Sequence, residues 1–377
     1  MASNLEKDLL LEMLEDFGKS VVKPSAAFTD EFEKFPEEIV SQMANYGLLG
    51  LPYPKELGGV GAPYSSYIDT VRILSKYCAT CGVIVSAHTS LCCAPIYQYG
   101  NEEQKKKYLP SLLKGTHLGA FGLTEPGAGT DASKQRTRAT LQGDYYEITG
   151  SKIFITNANH ADIFIVFAMT NTALKLKGIS AFILEKGMPG FTIGPKEKKM
   201  GIRGSDTAEL IFDKVKVPLA NLIGKEGEGF KIAMSTLDGG RIGIAAQALG
   251  IAEGAYERMV EYVKTRKQFD QTIASFQNTQ FVVADLKTKI EASRLLLYKA
   301  ASDKENNLPY TQSAAMAKLF CAETACEVAT KAIQLHGGYG YIRDYEIERY
   351  LRDAKITEIY EGTSEVQKMV ISGKELR

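Results

Sequence analysis

Residues 144–157, DYYEITGSKIFITN, decide the fold, because they interrupt a helical sequence texture with a run of β-branched and aromatic residues. Such residues favour strands, and alternating apolar and polar positions indicate a strand with one buried face. The same texture returns in IFIVFAM, ISAFILEK and AELIFDKVKV, each bounded by Gly, Asn or Pro. The sequence therefore predicts a mostly antiparallel β-domain from residue 117 to about residue 217.

Helical patterns flank this β-region. Before it, LLLEMLEDFGKSVV, EEIVSQMANYGLLGL and YIDTVRILSKY repeat apolar residues at spacings of three and four. After it, long helical patterns begin at Gly229 and are clearest over residues 241–265 and 276–303. We therefore predict an α+β fold with an N-terminal helical domain (residues 1–116), a middle β-barrel-like domain (117–228) and a C-terminal four-helix bundle (229–377).

The charge balance argues against a nucleic-acid partner, because 45 Lys and Arg residues offset 45 Asp and Glu residues. The longest uncharged interval, residues 77–100, contains Ser, Thr, His, Gln and Pro, so we interpret it as buried helix and turn without membrane insertion. The N-terminus carries acidic residues, unlike a signal or transit peptide. We expect a protein of the bacterial cytoplasm, or a processed form from the mitochondrial matrix.

Six cysteines raise the question of a metal site, since Cys78 and Cys81 form a CxxC pair with His88, Cys92 and Cys93 close behind. That spacing permits zinc. The flanking residues are apolar, however, and reduced cysteine is a common buried side chain. We expect no metal, and we expect Cys321 and Cys326 to be core residues.

The segment YEGTSE at residues 360–365 contains a candidate general base. Gly362 follows Glu361 and permits a strained backbone or the close approach of a ligand. Ser364 with Gln367 matches a capping box, which predicts a helix beginning just after the carboxylate. An ordinary surface glutamate is the alternative that this segment alone leaves open.

Residues 127–132, GAGTDA, match the letters of the dinucleotide fingerprint G-x-G-x-x-A. The fingerprint requires a following helix within a βαβ unit, whereas SKQRTRATLQGDYYEI reads as loop and strand. We therefore interpret the segment as a glycine-rich loop between strands, whose amides can face an anionic or carbonyl-rich ligand.

Several motifs in one order resemble the acyl-CoA dehydrogenase family, and within it the short-chain, butyryl-CoA type. They are AFGLTEPGAGTDAS, GSKIFITNANHADIFIVFAM, LDGGRIGIAAQALGIAEGA, RKQF, QLHGGYGY and RDAKITEIYEGTSEVQKM. The resemblance implies FAD-dependent α,β-dehydrogenation of a short acyl-CoA, or the reverse reaction. It also implies Glu361 as the base, electron exchange with an electron-transferring flavoprotein, and a homotetramer built as a dimer of dimers.

The resemblance assigns two segments to the flavin. The loop of residues 121–130 would contact the ring and ribityl chain, and residues 154–156 would cover the other face. Phe154 stands where many family members carry Trp; a plain strand residue is the alternative. The implied flavin contacts in these segments are Phe121, Leu123, Thr124, Gly129, Thr130, Phe154, Ile155 and Thr156.

The resemblance places the acyl-CoA entrance at residues 238–241. Asp238 and Arg241 would face the CoA moiety, although a helix-capping role for Asp238 at the start of a helix is the alternative. Gly240 stands where isovaleryl-type relatives carry their catalytic glutamate, which leaves Glu361 as the matching base. The implied substrate contacts are Thr130, Asp238, Arg241, Tyr360 and Gly362.

The remaining implied FAD contacts lie further along the chain. The segment at 266–277 would reach across a subunit interface to the FAD diphosphate, and residues 334–338 would arrive there from the partner chain. Asp270 replaces the glycine usual in the family and is expected at a position suited to positive φ. These implied contacts are Arg266, Phe269, Phe276, Gln277, Gln334, Leu335, Gly337, Gly338, Thr363 and Glu365.

Two alternative functions remain open at this stage. An acyl-CoA oxidase would reoxidise its flavin with oxygen, but such relatives usually carry an additional C-terminal domain. A non-catalytic scaffold protein with this fold would be expected to lose the base or the flavin contacts, whereas Glu361 and the glycine loop are both present.

Overall fold

A computed structural model describes residues 2–376 and contains helices on both sides of a central sheet. The N-terminal helices pack by their apolar positions, and π-helical turns at residues 18–22 and 87–93 join two pairs of them into longer helices. The helices are α1 (Ala2–Phe17), α2 (Lys23–Glu31), α3 (Glu37–Asn45), α4 (Tyr64–Tyr77), α5 (Ala79–Ser86), α6 (Ala94–Tyr99) and α7 (Glu102–Leu113).

The stretch Ala79–Tyr99 is long and apolar enough to cross a membrane by length and composition alone, but its apolar window is entirely buried inside the protein. This agrees with the interpretation of residues 77–100 as buried helix.

The cysteines expected in the core are largely shielded from solvent: Cys321 is buried and Cys326 is partly buried. Both ring nitrogens of His88 engage backbone groups, at 3.0 Å from the Leu112 carbonyl and from the Gly119 amide.

The middle region is a single sheet, with strand order β6-β7-β3-β2-β4-β5-β8 and β1 paired to β4. It is largely antiparallel, as predicted, but β4 pairs in parallel with β1 and β2. The strands are β1 (Gly119–Gly122), β2 (Arg138–Gln142), β3 (Tyr145–Thr156), β4 (Ile163–Met169), β5 (Ile179–Glu185), β6 (Phe191–Ile193), β7 (Thr207–Pro218) and β8 (Leu222–Ile223).

The C-terminal region is helical again, and its axis is the long helix α8. This helix begins at Gly229, so Asp238 lies in its interior and the expectation that Asp238 caps a helix start is wrong. A short hairpin follows α8. The elements are α8 (Gly229–Thr265), β9 (Lys267–Gln268), β10 (Gln271–Thr272), α9 (Gln277–Glu305), α10 (Thr311–His336), α11 (Ile347–Lys355) and α12 (Ser364–Glu375).

Two large apolar cores hold these layers together. One joins α1, α4 and α5 to α8, α9 and α10, and includes Tyr67, Leu249 and Ala317. The other packs the N-terminal helices against the sheet. The first core brings α4, α5, α8 and α10 to one place, and the segment between α11 and α12 closes over it.

Candidate active site

The turn before α12 holds Glu361 in an uncommon conformation. Glu361 has φ +54° and Gly362 has φ +96°, both in the left-handed region. A glutamate held there is strained and persists only where the surroundings fix it. The strained backbone that Gly362 was expected to permit is therefore present, and the turn fixes the direction of the carboxylate.

The predicted capping box at Ser364 and Gln367 is wrong. Helix α12 begins at Ser364, so its N-cap is Thr363, whose Oγ1 accepts from the Val366 amide at 3.4 Å. Gln367 cannot serve that N-cap. Its side chain instead turns back and donates to the Gly362 carbonyl at 2.8 Å.

The Glu361 carboxylate packs against the backbone of α8 at Gly240. A Cβ at position 240 would collide with Glu361 Oε2 and stand 2.8 Å from a methyl group of Leu91. Within the described residues, Oε2 is buried without a hydrogen-bond partner. Burial raises the pKa of Glu361 to about 7, against the opposing charges of Lys318 and Arg241. The alternative of an ordinary surface glutamate does not fit this environment.

Arg241 and Asp238, one turn apart on α8, form an ion pair beside the base. Nη1 of Arg241 lies 2.6 Å from Oδ1 of Asp238, and Oδ2 of Asp238 accepts from the Thr311 hydroxyl at 2.7 Å. Arg241 is buried. A charged pair in the interior of a helix, next to the Glu361 carboxylate, is suited to binding polar groups of a ligand.

Tyr360 and Gln247 continue this wall, since the Tyr360 phenol donates to the Gln247 side-chain carbonyl. One helical turn beyond Gly240, a Cβ at Gly243 would meet the Tyr67 hydroxyl at 2.8 Å and also the Ser86 side chain. Residues of α4 and α5 therefore close the α8 face shortly beyond the base.

The two segments expected at the flavin lie side by side. The Thr124 carbonyl accepts from the Ile153 amide at 2.9 Å, and residues 125–128 form a tight backbone turn. Phe154 has φ +59° and is 62% exposed, which is unusual for an aromatic residue in a strand. The segment at 127–132 is a loop between β1 and β2, as predicted.

A fully buried lysine supports this loop, and the sequence analysis did not identify it. Lys152 Nζ lies 2.7 Å from Glu125 and also donates to the Leu123 carbonyl at 3.2 Å. The sequence analysis also missed Lys318. Each is a single Lys next to a short apolar run, IFI after Lys152 and AAMA before Lys318. A lone charge at a core-facing position was the available signal.

A second group of predicted residues surrounds a cavity of about 700 Å³ at the far end of α8. Arg266, whose guanidinium lies 5.3 Å from the Tyr339 ring centre, faces Phe276 and residues 334–338 there. The expectation that residues 334–338 reach Arg266 from a partner chain is wrong, because one chain brings both segments together. Gln277 is exposed at the start of α9 and Phe269 at the hairpin tip.

The glycines of both regions leave room for a ligand. A Cβ at Gly127, Gly129, Gly337 or Gly338 would meet no atom within 4 Å. Protein packing therefore does not account for these glycines. Thr363 and Glu365 sit at the N-terminus of α12, where Glu365 is exposed.

Comparison with known proteins identifies the family. The sequence matches the N-terminal domain of acyl-CoA dehydrogenase over residues 4–116, the middle domain over 120–215 and the C-terminal domain over 227–375. The chain therefore belongs to the acyl-CoA dehydrogenase family, and the predicted three-domain fold and enzyme class are confirmed.

Within this family the chain is similar to short-chain enzymes. It is 58% identical over 372 residues to the short-chain specific acyl-CoA dehydrogenase of Clostridium acetobutylicum, covering 99% of this chain and 98% of that protein. The butyryl-CoA dehydrogenase structure from Megasphaera elsdenii superposes with a TM-score of 0.97 at 51% identity, covering 98% of each chain. A chain from a study of the electron transferring flavoprotein of Acidaminococcus fermentans gives a TM-score of 0.97 at 53% identity, again covering 98% of each.

The hairpin tip generates a prediction about stability. Phe269 and Asp270 form a two-residue loop with φ +52° and +62°, as in a type I′ turn, which favours glycine at its second position. Relief of about 1–2 kcal/mol of left-handed strain, offset by about 0.5–1 kcal/mol of additional chain entropy of glycine, means that Asp270→Gly should raise the free energy of unfolding by about 0.5–1 kcal/mol. Asp270→Asn removes the charge but keeps a side chain, so it should change stability less. Urea unfolding of both variants measures this, and a destabilised glycine variant would show that the turn is not strained.

Proposed function

We propose that this protein dehydrogenates short-chain acyl-CoA thioesters, butyryl-CoA to crotonyl-CoA or the reverse, with Glu361 as the base. The observation that carries the proposal is the Glu361 carboxylate, whose Oε2 atom is buried without a hydrogen-bond partner among the described residues and whose pKa is raised to about 7. A general base is most effective when its pKa lies near the working pH. A structural carboxylate would be expected to have hydrogen-bond partners.

The proposed reaction breaks two C–H bonds. The α-proton of the thioester passes to the Glu361 carboxylate, and the β-hydrogen leaves with its electron pair. FAD, when bound, supplies the two-electron acceptor for that hydride. No hydrogen bond of the Glu361 backbone N–H is found within residues 2–376. This N–H can therefore donate to the thioester carbonyl and stabilise the charge that develops as the α-proton leaves.

The residues present fit FAD. Open space beside Gly127 and Gly129, and the exposed ring of Phe154, would accommodate the flavin between two backbone segments. Gly337 and Gly338 would allow a nucleotide close to the backbone, and Arg266 would hold the diphosphate. Family membership and the similarity to a solved FAD-dependent dehydrogenase, 30% identical with a TM-score of 0.92, support the same cofactor.

The acyl-CoA would enter beside the ion pair of Asp238 and Arg241. Thr130, Tyr360 and Gly362 would line its path to Glu361. The electron partner is an electron-transferring flavoprotein, a proposal supported by the similarity to a chain from the Acidaminococcus study. An oxidase is less well supported, because the short-chain specific acyl-CoA dehydrogenase and the butyryl-CoA dehydrogenase named above match this chain over nearly their full length.

The length of α8 supports a cofactor site shared between two chains, as the proposed homotetramer of two dimers requires. Glu361 packs on Gly240, whereas Arg266 directly follows Thr265 at the end of the same helix. At 1.5 Å per residue these points are roughly 38 Å apart. A single FAD cannot extend from the base to the cavity of its own chain. A neighbouring chain would therefore supply the diphosphate site.

Replacement of the base tests the proposed mechanism. Glu361→Gln keeps the side-chain volume but removes the proton acceptor, so kcat for butyryl-CoA should fall by at least roughly 10²- to 10⁴-fold while FAD content is retained. Glu323→Gln on α10, an exposed glutamate, is the matched control and should retain wild-type turnover. Near wild-type activity of Glu361→Gln would exclude this residue as the base.

The closed α8 face beyond Gly240 predicts a preference for short acyl chains. Tyr67 and Ser86 contact Gly243 only one turn further, roughly 5 Å along the helix. Measured over acyl-CoAs from four to twelve carbons, kcat/KM should be highest at four. A maximum at eight carbons or longer would contradict this assignment of the substrate.

Light scattering tests the shared cofactor site. The FAD-saturated protein should have the mass of four chains, and FAD should dissociate as dilution separates the chains. A stable monomer that remains saturated with FAD would be incompatible with the separation along α8.

A further inference from the structure

Lys318 on α10 is fully buried among apolar neighbours that include Ala314, Ala315 and Cys321. Its Nζ donates to the Gly362 carbonyl at 2.7 Å, directly after the proposed base. A buried ammonium is costly unless hydrogen bonds and opposite charge compensate it. The hydrogen bond reaches the strained turn itself, so α10 is connected to the backbone that aims Glu361.

We propose that Lys318 is a positioning residue, which holds the Glu361–Gly362 turn through the Gly362 carbonyl and places its buried positive charge beside the Glu361 carboxylate. This inference rests on the proposed function of Glu361. Lys318 lies on a different helix from the base and would contribute to the site in two ways. It donates a hydrogen bond to the backbone of the turn, and its charge faces the Glu361 carboxylate.

The titratable groups around Glu361 include two cations, one of which is Lys318. Tyr64 and Tyr67 face the carboxylate from α4, and Tyr360, Glu358 and Glu365 lie along its own segment. The cations facing it are Lys318 and Arg241.

Arg241 differs from Lys318 because it is already paired with Asp238 at 2.6 Å. No carboxylate lies within 4.0 Å of Lys318 in the part of the chain that the structure describes. Its charge is therefore not neutralised by a direct partner and acts on Glu361 across the turn. An opposite charge nearby lowers the pKa of a carboxyl group.

Burial and charge thus act in opposite directions on the base. Burial raises the pKa of Glu361 to about 7 even with Lys318 present, and burial lowers the pKa of Lys318 to about 8. Without the Lys318 charge, the pKa of Glu361 would rise further and less of the base would be ionised at neutral pH.

Three variants separate the two contributions. Lys318→Gln removes the charge and keeps an N–H donor, Lys318→Met removes both, and Lys318→Arg keeps both. Lys331→Gln, at an exposed position of the same helix, is the control. The pH profile of kcat/KM for butyryl-CoA, measured with FAD-saturated protein, is the readout that a purely structural role would not shift.

The acid limb of the profile should move to higher pH by roughly one unit in Lys318→Gln, because an opposite charge typically lowers a carboxyl pKa by one to three units. At pH 6 this shift corresponds to an about tenfold loss of kcat/KM, whereas kcat/KM at high pH should be near the wild-type value. Lys318→Met should show the same shift and a lower plateau. Lys318→Arg and Lys331→Gln should leave the limb in place.

Infrared difference spectra provide a second readout that does not need turnover. Subtracting the Glu361→Gln spectrum in each background isolates the protonated carboxyl band of Glu361, which should titrate at higher pH in Lys318→Gln. The proposal would be overturned if the infrared titration of Glu361 and the acid limb of the kcat/KM profile were both unchanged in Lys318→Gln. It would also be overturned if kcat/KM fell by the same factor at every pH. If wild-type protein fails to oxidise butyryl-CoA, the proposed function fails, while the infrared titration still decides the role of Lys318. If Lys318→Met does not fold, Lys318→Gln and Lys318→Arg decide it.

Discussion

The contact between the Glu361 carboxylate and the backbone of α8 at Gly240 is the constraint on which the site depends. It requires a residue without a side chain at position 240, and a left-handed turn at Glu361 and Gly362. It also removes one carboxylate oxygen from solvent without giving it a partner. An oxygen in this state favours the protonated acid, so the same packing that fixes its position makes it basic.

The rest of the fold supplies what this contact needs. Helix α8 provides the surface, the π-helical turn between α5 and α6 provides Leu91, and α10 provides Lys318. In the sheet, Lys152 of β3 supports the loop at residues 123–125. Each buried lysine donates to a loop carbonyl next to a predicted site residue. The length of α8 separates the base from the nucleotide-sized cavity and makes assembly part of the proposed chemistry.

The sequence predicted the features that long patterns encode and missed those that depend on single contacts. The three-domain order, the buried stretch at 77–100 and the turn at Gly362 followed from periodicity and from glycine. The capping role considered for Asp238 was wrong because DGGR resembles a helix start, whereas α8 already begins at Gly229, where the helical pattern of the sequence begins. The N-cap at Thr363 and the hydrogen bond from Lys318 to the Gly362 carbonyl depend on the direction of side chains in the folded chain. The spacing of residues in the sequence does not specify that direction.

The central claim is that Glu361 removes the α-proton of an acyl thioester, and deuterium exchange tests it most directly. Butyryl-CoA is incubated in D₂O with FAD-saturated protein, without an electron acceptor, and deuterium at the α-carbon is measured by mass spectrometry. The account predicts uptake that accelerates through about pH 7 in the wild type and falls to the uncatalysed rate in Glu361→Gln. Exchange at the wild-type rate in Glu361→Gln would contradict it.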